Sequence, residues 1–321
     1  MKNSDKWEYL IDKVGKMEKK LVVGGQAVVE GVMMRGPKAI ATAVRKQDGS
    51  IVYKKIVMNE KKNKWLKVPF IRGVLALYDA MVVGTKELIF ASNQAGLEEE
   101  KMNDKEIKGT VAVSILLGVG VFMVLPSFIG SHLFRENRLF ANIVEASIRL
   151  VLFLGYIWGI SFFKDIKRVF EYHGAEHKSI MAFEMEKELT PKNAKECTRF
   201  HPRCGTSFLL LVMFISILVF STVDVVFSTF FTIPQNPILL ILYKLVTRVM
   251  FVPMVAGISY ELQRWTSYHL DNIFAGLIAK PGLWLQKITT SEPDESQLEV
   301  AIVALNVALG KEVDNATEVF E

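Results

Sequence analysis

Two short strings crowd together the side chains that most readily bind a metal. "EYHGAEHKSI" (171–180) carries His173, Glu176 and His177, and "CTRFHPRCGTSF" (197–208) carries Cys197, His201 and Cys204. Histidines four apart point the same way on a helix, about one turn from each other, which is the separation a single ion bridges. Glu176, three residues after His173, reaches the same pocket. His-x-x-Glu-His is the inverted order of a zinc-hydrolase signature, in which the glutamate is the general base toward a water held at the metal. Gly174 inside the motif costs the helix about 1 kcal/mol relative to alanine, which counts against the motif as a helical one.

Zinc takes three or four protein ligands, and a lone pair of histidines binds weakly. His201 and Cys204 supply two more donors, with Cys197 as a spare and Pro202 stiffening the link between them. The candidate ligand set is therefore His173, His177, His201 and Cys204, and zinc is the expected ion. Glu261 in "ISYELQRW" and His269 beyond it are further groups that reach the same plane. The plainer alternative is that the histidines only hydrogen-bond near an interface and Cys204 is a small buried residue.

These strings must be positioned by a chain of 321 residues of which 50% are apolar. The apolar residues gather in four runs, 110–134, 139–163, 207–233 and 237–262, each near or above the roughly 20 residues that span a bilayer. "RENR" and "PQNP" leave room only for turns, so the runs pair as two antiparallel hairpins, and an even number of spans puts both termini on one side. Residues 1–109 hold 21 of the 39 Lys and Arg, the 164–206 loop 9 and the tail after Glu261 4, against Arg135 and Arg138 in the two short turns. Positive charge stays in the cytoplasm. This predicts an inner-membrane protein whose termini and long loop are cytoplasmic, and it reads the net charge of +5 as orientation rather than nucleic-acid binding. The polar opening "MKNSDKWEYLIDKVGKMEKK" is not a cleavable signal, and cytoplasmic thiols predict no structural disulfide between Cys197 and Cys204.

The fold class is mainly α and polytopic, with a small β-rich N-terminal unit and a C-terminal docking helix. After a charged lead (1–20), residues 21–67 carry two alternating runs about an Asp48-Gly49 turn, with Ile40, Thr42 and Val44 on one face answered by Ile51 and Tyr53. "GGQAVVEGVMMRGP" lacks the Gly-Lys-Ser/Thr ending of a phosphate loop, so its glycines read as turn chemistry. Residues 68–109 form a helix interrupted by Arg72, Asp79, Lys86 and Glu87, interfacial or re-entrant, followed by a solvated linker. Hairpins at 110–163 and 207–260 flank the motif loop at 164–206. The tail, 261–321, ends in a helix capped by Ser291, with Pro293, Asp294 and Glu295 in its first turn, Gly310 as its stop, and Leu298, Ile302 and Leu305 as its docking stripe.

Charges within the spans are expected to pair: Glu145 with Arg149, and Asp224 with Lys244 or Arg248 across the second hairpin. Helix pairing is the favoured reading of them over a transport path. The expected partners are the lipid bilayer and a cytoplasmic protein met through the N-terminal unit or the C-terminal helix; the oligomeric state is left open.

The strings "GGQAVVEGVMMRGP", "YHGAEHKSI", "HPRCGTSF" and "PGLWLQKITTSEPDESQLEVAI" together resemble the bacterial YqhQ-like family of multi-pass membrane proteins of unknown function, from about residue 21 to about 309. That resemblance implies a metal-dependent enzyme without a substrate, with His173, Glu176 and His177 in one motif and His201, Arg203 and Cys204 in the other. Cys197 falls outside both. In the sharpest form of this reading Glu176 is the base of a hydrolase and Arg203 holds a carboxylate or phosphate of the substrate. A membrane scaffold stapled by structural zinc is the alternative, and a small transporter using Glu145, Arg149, Asp224 and Lys244 is a third.

Overall fold

The computed structural model describes residues 23–58, 65, 68–96, 104–134, 138–232, 234 and 236–320. The charged lead, the "RENR" turn at 135–137 and most of the linker before the first span lie outside the described residues.

Strands β1 (Gly24–Val28), β2 (Gly31–Arg35), β3 (Ala39–Arg45) and β4 (Ile51–Val57) form an antiparallel meander, and β5 (Thr317–Glu318) joins parallel to β4. The hairpin between β3 and β4 departs from the expected register by one residue. Lys46 accepts from the Gly49 amide through its carbonyl, and Gly49 has φ +86°. The connection is therefore a three-residue loop ending in a left-handed glycine. Val44 consequently faces Val52, and Ala43 faces Tyr53. Because a one-residue slip turns every side chain over, Val52, Lys54 and Ile56 answer Ile40, Thr42 and Val44, while Ile51 and Tyr53 lie on the opposite face.

Both faces of the sheet are covered, which is why β2 and β3 are buried along nearly their whole length. On one face, Val28, Met33, Ile40, Val44 and Val52 pack on Phe90, Ala91 and Ala95 of α1 (Ile71–Ala95). Buried Glu87 of α1 accepts a 2.6 Å hydrogen bond from Thr42. The N-terminal half of α1 leaves the sheet and packs on the bundle, with Gly73 against Tyr260. α1 is thus a strut between sheet and bundle, and it is not among the helices long and apolar enough to cross a membrane.

The other sheet face holds α5 (Lys164–Glu184), the short α6 (Pro191–Lys195) and α10 (Glu295–Ala308). α10 is buried on almost every side: besides Leu298, Ile302 and Leu305, residues Val300, Ala301, Val303, Ala304, Val307 and Ala308 are all buried. It is the centre of this domain rather than an appendage docked by one stripe. Its cap is Asp294, whose side chain accepts from the Gln297 amide while Gln297 reaches back to the Asp294 amide, a capping box. Ser291, expected as the cap, instead donates its amide to the Phe170 carbonyl on α5.

Four candidate membrane spans follow the expected boundaries: Gly109–Gly130, Phe140–Ile160, Gly205–Phe230 and Ile238–Tyr268. The first is α2 (Asp104–Val119), a π turn (Gly120–Val124) and α3 (Leu125–Leu133) in one line; α4 (Arg138–Ile160), α7 (Gly205–Phe230) and α8 (Pro237–Tyr268) are the others. α3 pairs with α4 and α7 with α8, as two hairpins. α8 continues past Glu261 to Tyr268, so that residue is inside the helix rather than at its end. α9 (Ile273–Thr289) then packs against α7, with Gly282 against Ser207.

Candidate metal centre

α5 leads from the first hairpin across the sheet edge at β1, and its central turns carry His173, Glu176 and His177 into the interior. α7 brings Cys204 from the other side, as the residue preceding its first turn. The meeting point is the junction between the sheet domain and the bundle.

One ligand atom each from His173, His177 and Cys204 lies within 4.8 Å of the others; His177 and Cys204 are buried and His173 is half-buried, with its ring turned inward. His173 Nε2 is 3.2 Å from Cys204 Sγ. The imidazole rings of His173 and His177 have centroids 4.4 Å apart. Each ring is oriented from behind: Nδ1 of His173 contacts the Thr289 carbonyl at 2.8 Å, and Nδ1 of His177 contacts the Arg199 carbonyl at 2.5 Å. A carbonyl oxygen only accepts, so each Nδ1 carries a proton. In the neutral ring that leaves Nε2 as the lone-pair atom turned toward the cluster, and His177 Nε2 has no hydrogen-bond partner among the described residues. Backbone carbonyls that fix the ligating tautomer in this way are the usual support of metal-binding histidines.

The electrostatics agree. Burial opposes ionisation of Cys204, but His173 and His177 outweigh it and hold the thiol well below its ordinary pKa. Burial likewise opposes charge on His173, and the facing Cys204 sulfur and Glu176 raise its pKa to about 9. Both directions draw the shared proton toward His173 and away from the Cys204 sulfur, and a cation in the site would take that proton's place. Glu176 is buried, which pushes its pKa up against the pull of His177 and His173. Its carboxyl end rests on Gly25 of β1, where a Cβ would come within 2.9 Å of the Glu176 Cγ. The glycine-rich first string therefore belongs to this centre, through a close approach that spacing along the chain does not reveal.

His201 stands behind this trio, its ring centroid 5.6 Å from that of His177. Burial pushes its pKa down and favours the neutral ring. Its Nε2 lies 3.4 Å from Glu184 Oε2, without hydrogen-bond geometry. The other Glu184 oxygen is paired with Arg203. Arg203 thus has a protein carboxylate for its partner in the structure. The expected ligands accordingly divide into a tight set of three and an adjacent His201, with Glu176 beside them.

Other expected participants lie elsewhere. Cys197 is buried in the sheet-domain core with its thiol toward the Asn193 carbonyl, and both cysteines are free. Glu261 is paired with Arg72 of α1. His269 ends α8, its ring stacked on Trp265. Four residues that spacing had not singled out support the site: Thr289, Arg199, Glu184 and Gln286. Fully buried Gln286 accepts from the His201 amide at 2.8 Å, donates to the His201 carbonyl at 2.8 Å, and so clamps the HPRC turn. A buried amide on an apolar helix was the available signal for it.

Gly174 also finds its reason. A Cβ there would lie 2.0 Å from the Ser291 carbonyl oxygen, so the approach of the 291–293 segment to α5 requires glycine.

Comparison with known proteins returns a family described as "Protein of unknown function (DUF1385)", matched over residues 68–311. It also returns the "Uncharacterized protein YqhQ" of Bacillus subtilis (strain 168), 38% identical over 304 residues, which covers 89% of this chain and 92% of that protein. No solved structure matches.

Proposed function

The chain belongs to this DUF1385 family, whose description carries no activity, and we propose that it is a multi-pass inner-membrane protein with a zinc centre on its cytoplasmic side, acting as a hydrolase. The observation that carries the reading is the convergence of two imidazole Nε2 atoms, each aimed by a carbonyl at its Nδ1, with the Cys204 sulfur. A His2Cys donor set suits zinc, and three protein ligands leave a position for chemistry. Bound zinc supplies Lewis acidity toward a carbonyl or phosphoryl oxygen.

The chain's own residues supply the remainder. Glu176 takes the proton of the attacking water, its raised pKa suiting it to hold that proton for the leaving group. His173 and His177 stay rigid because backbone carbonyls fix their outer nitrogens. Arg203 acts through Glu184, which faces His201, so we assign it a positioning role in preference to direct contact with substrate. The excess of Lys and Arg in residues 1–109 and 164–206 supports the cytoplasmic placement of this face and of both termini.

Glu176→Gln separates base from ligand: the variant is expected to keep its metal and lose turnover of ester, peptide and phosphoester probes. Loss of the metal would make Glu176 a ligand and overturn the mechanism. A second reading, a structural staple closed by His201 as fourth ligand, is favoured by the proximity of that ring to His177. X-ray absorption distinguishes the two, with three protein donors supporting the hydrolase and four the staple.

A further inference from the structure

Beyond the metal centre, the bundle holds a second polar cluster at the end away from the sheet. In the four spans up to Tyr260, the ionisable carboxylates and cations among the described residues are Glu145, Asp224, Arg149, Lys244 and Arg248. Glu145 accepts from Ser127 (2.7 Å), Arg149 (2.8 Å) and Lys244 (2.7 Å). Asp224 accepts from Arg248 through both oxygens at 3.2 Å and from Asn142 at 3.1 Å. Three cations thus face two carboxylates, all five on helices that cross a membrane. An uncompensated charge there is expensive, so the extra cation calls for a counter-charge.

The cations also have donors to spare. Arg248 is 3% exposed, and its Nε–H has no hydrogen-bond partner among the described residues. Lys244 has three N–H donors, of which Glu145 takes one. Both residues line a cavity with Ser127, Met123, Ile241 and Leu245, of about 10 Å³, room for one occupant about the size of a water molecule.

We infer that this cavity between Lys244, Arg248 and Ser127 is a binding site for a small monovalent anion of the halide class, which completes the charge balance of the bundle. Nothing in the proposed hydrolysis requires it.

The test is thermal unfolding of the full chain in detergent, in sodium chloride or bromide against sodium gluconate at equal ionic strength. Halide is expected to raise the midpoint saturably, by about 3 °C at tenfold excess over its Kd. The rise should vanish in Leu245→Phe, which fills the cavity while keeping every charge, and persist in lipid-facing Leu242→Phe. Equal wild-type midpoints in halide and gluconate would overturn the proposal. A halide response undiminished in a folded Leu245→Phe would overturn it as well, by placing the ion elsewhere.

Discussion

α7 connects two polar centres of opposite character. Cys204 stands at its start and Asp224 twenty residues on, about 30 Å away at the rise of an α-helix. The first centre is assembled from neutral or soft donors, held by backbone carbonyls, and leaves lone pairs converging on one point. The second is assembled from full charges that satisfy one another, and what it has left over is N–H. Most members of both centres are buried, so burial alone does not tell a ligand site from a structural one. The unsatisfied atom does: an imidazole nitrogen with its outer side fixed suits a cation, and a guanidinium Nε–H suits an anion.

The largest effect is expected where the charges are hard. Glu145→Ala leaves Lys244 and Arg149 without their carboxylate among apolar helices, a loss of about 3–5 kcal/mol. The folded yield in detergent should fall sharply, and a well-folded variant would show that those cations find other partners.

Next comes packing around the metal centre. Gly174→Ala forces α5 away from the Ser291 carbonyl and should cost about 1–3 kcal/mol, read as a lowered unfolding midpoint. Gly25→Ala and Gly24→Ala make a paired test, because a Cβ meets the Met33 carbonyl of β2 at 2.7 Å and Glu176 at 2.9 Å at the first position and open space at the second. Gly25→Ala should impair turnover with metal retained, and Gly24→Ala should leave both unchanged.

The smallest effect is spectroscopic. Because Cys204 is held well below its ordinary pKa by His173 and His177, metal-free Cys197→Ala protein should show ultraviolet thiolate absorbance at neutral pH. A group with a depressed pKa is ionised above its folded value, so the signal should persist as pH falls from 9 to neutrality and weaken in His173→Ala. A thiol that ionises only near its ordinary value would remove the electrostatic half of the comparison.

Much of this was legible in the sequence because its signals are local. Helical spacing brought His173 and His177 together, run length predicted four spans, and Glu145 with Arg149 is an i, i+4 pair. What escaped depends on contacts distant along the chain. The β3–β4 register turned on one loop residue, and the standing of α10 as a core helix needed both α5 and the sheet around it. Gln286 acts at the centre only because α9 folds back to it, and Glu184, about two turns after His177 on α5, gains its role only because the chain returns there with His201 and Arg203. The reasons for Gly25 and Gly174 lie in side chains and carbonyls that no spacing rule connects to them.

The most direct measurement is metal content per chain of detergent-purified protein by elemental mass spectrometry, for wild type, His173→Ala, Cys204→Ala and, as a control at the far end of α7, Asp224→Asn. The account predicts near-stoichiometric zinc in wild type and Asp224→Asn and its loss in both ligand variants. Metal-free wild type, or zinc retained in His173→Ala and Cys204→Ala alike, would contradict it.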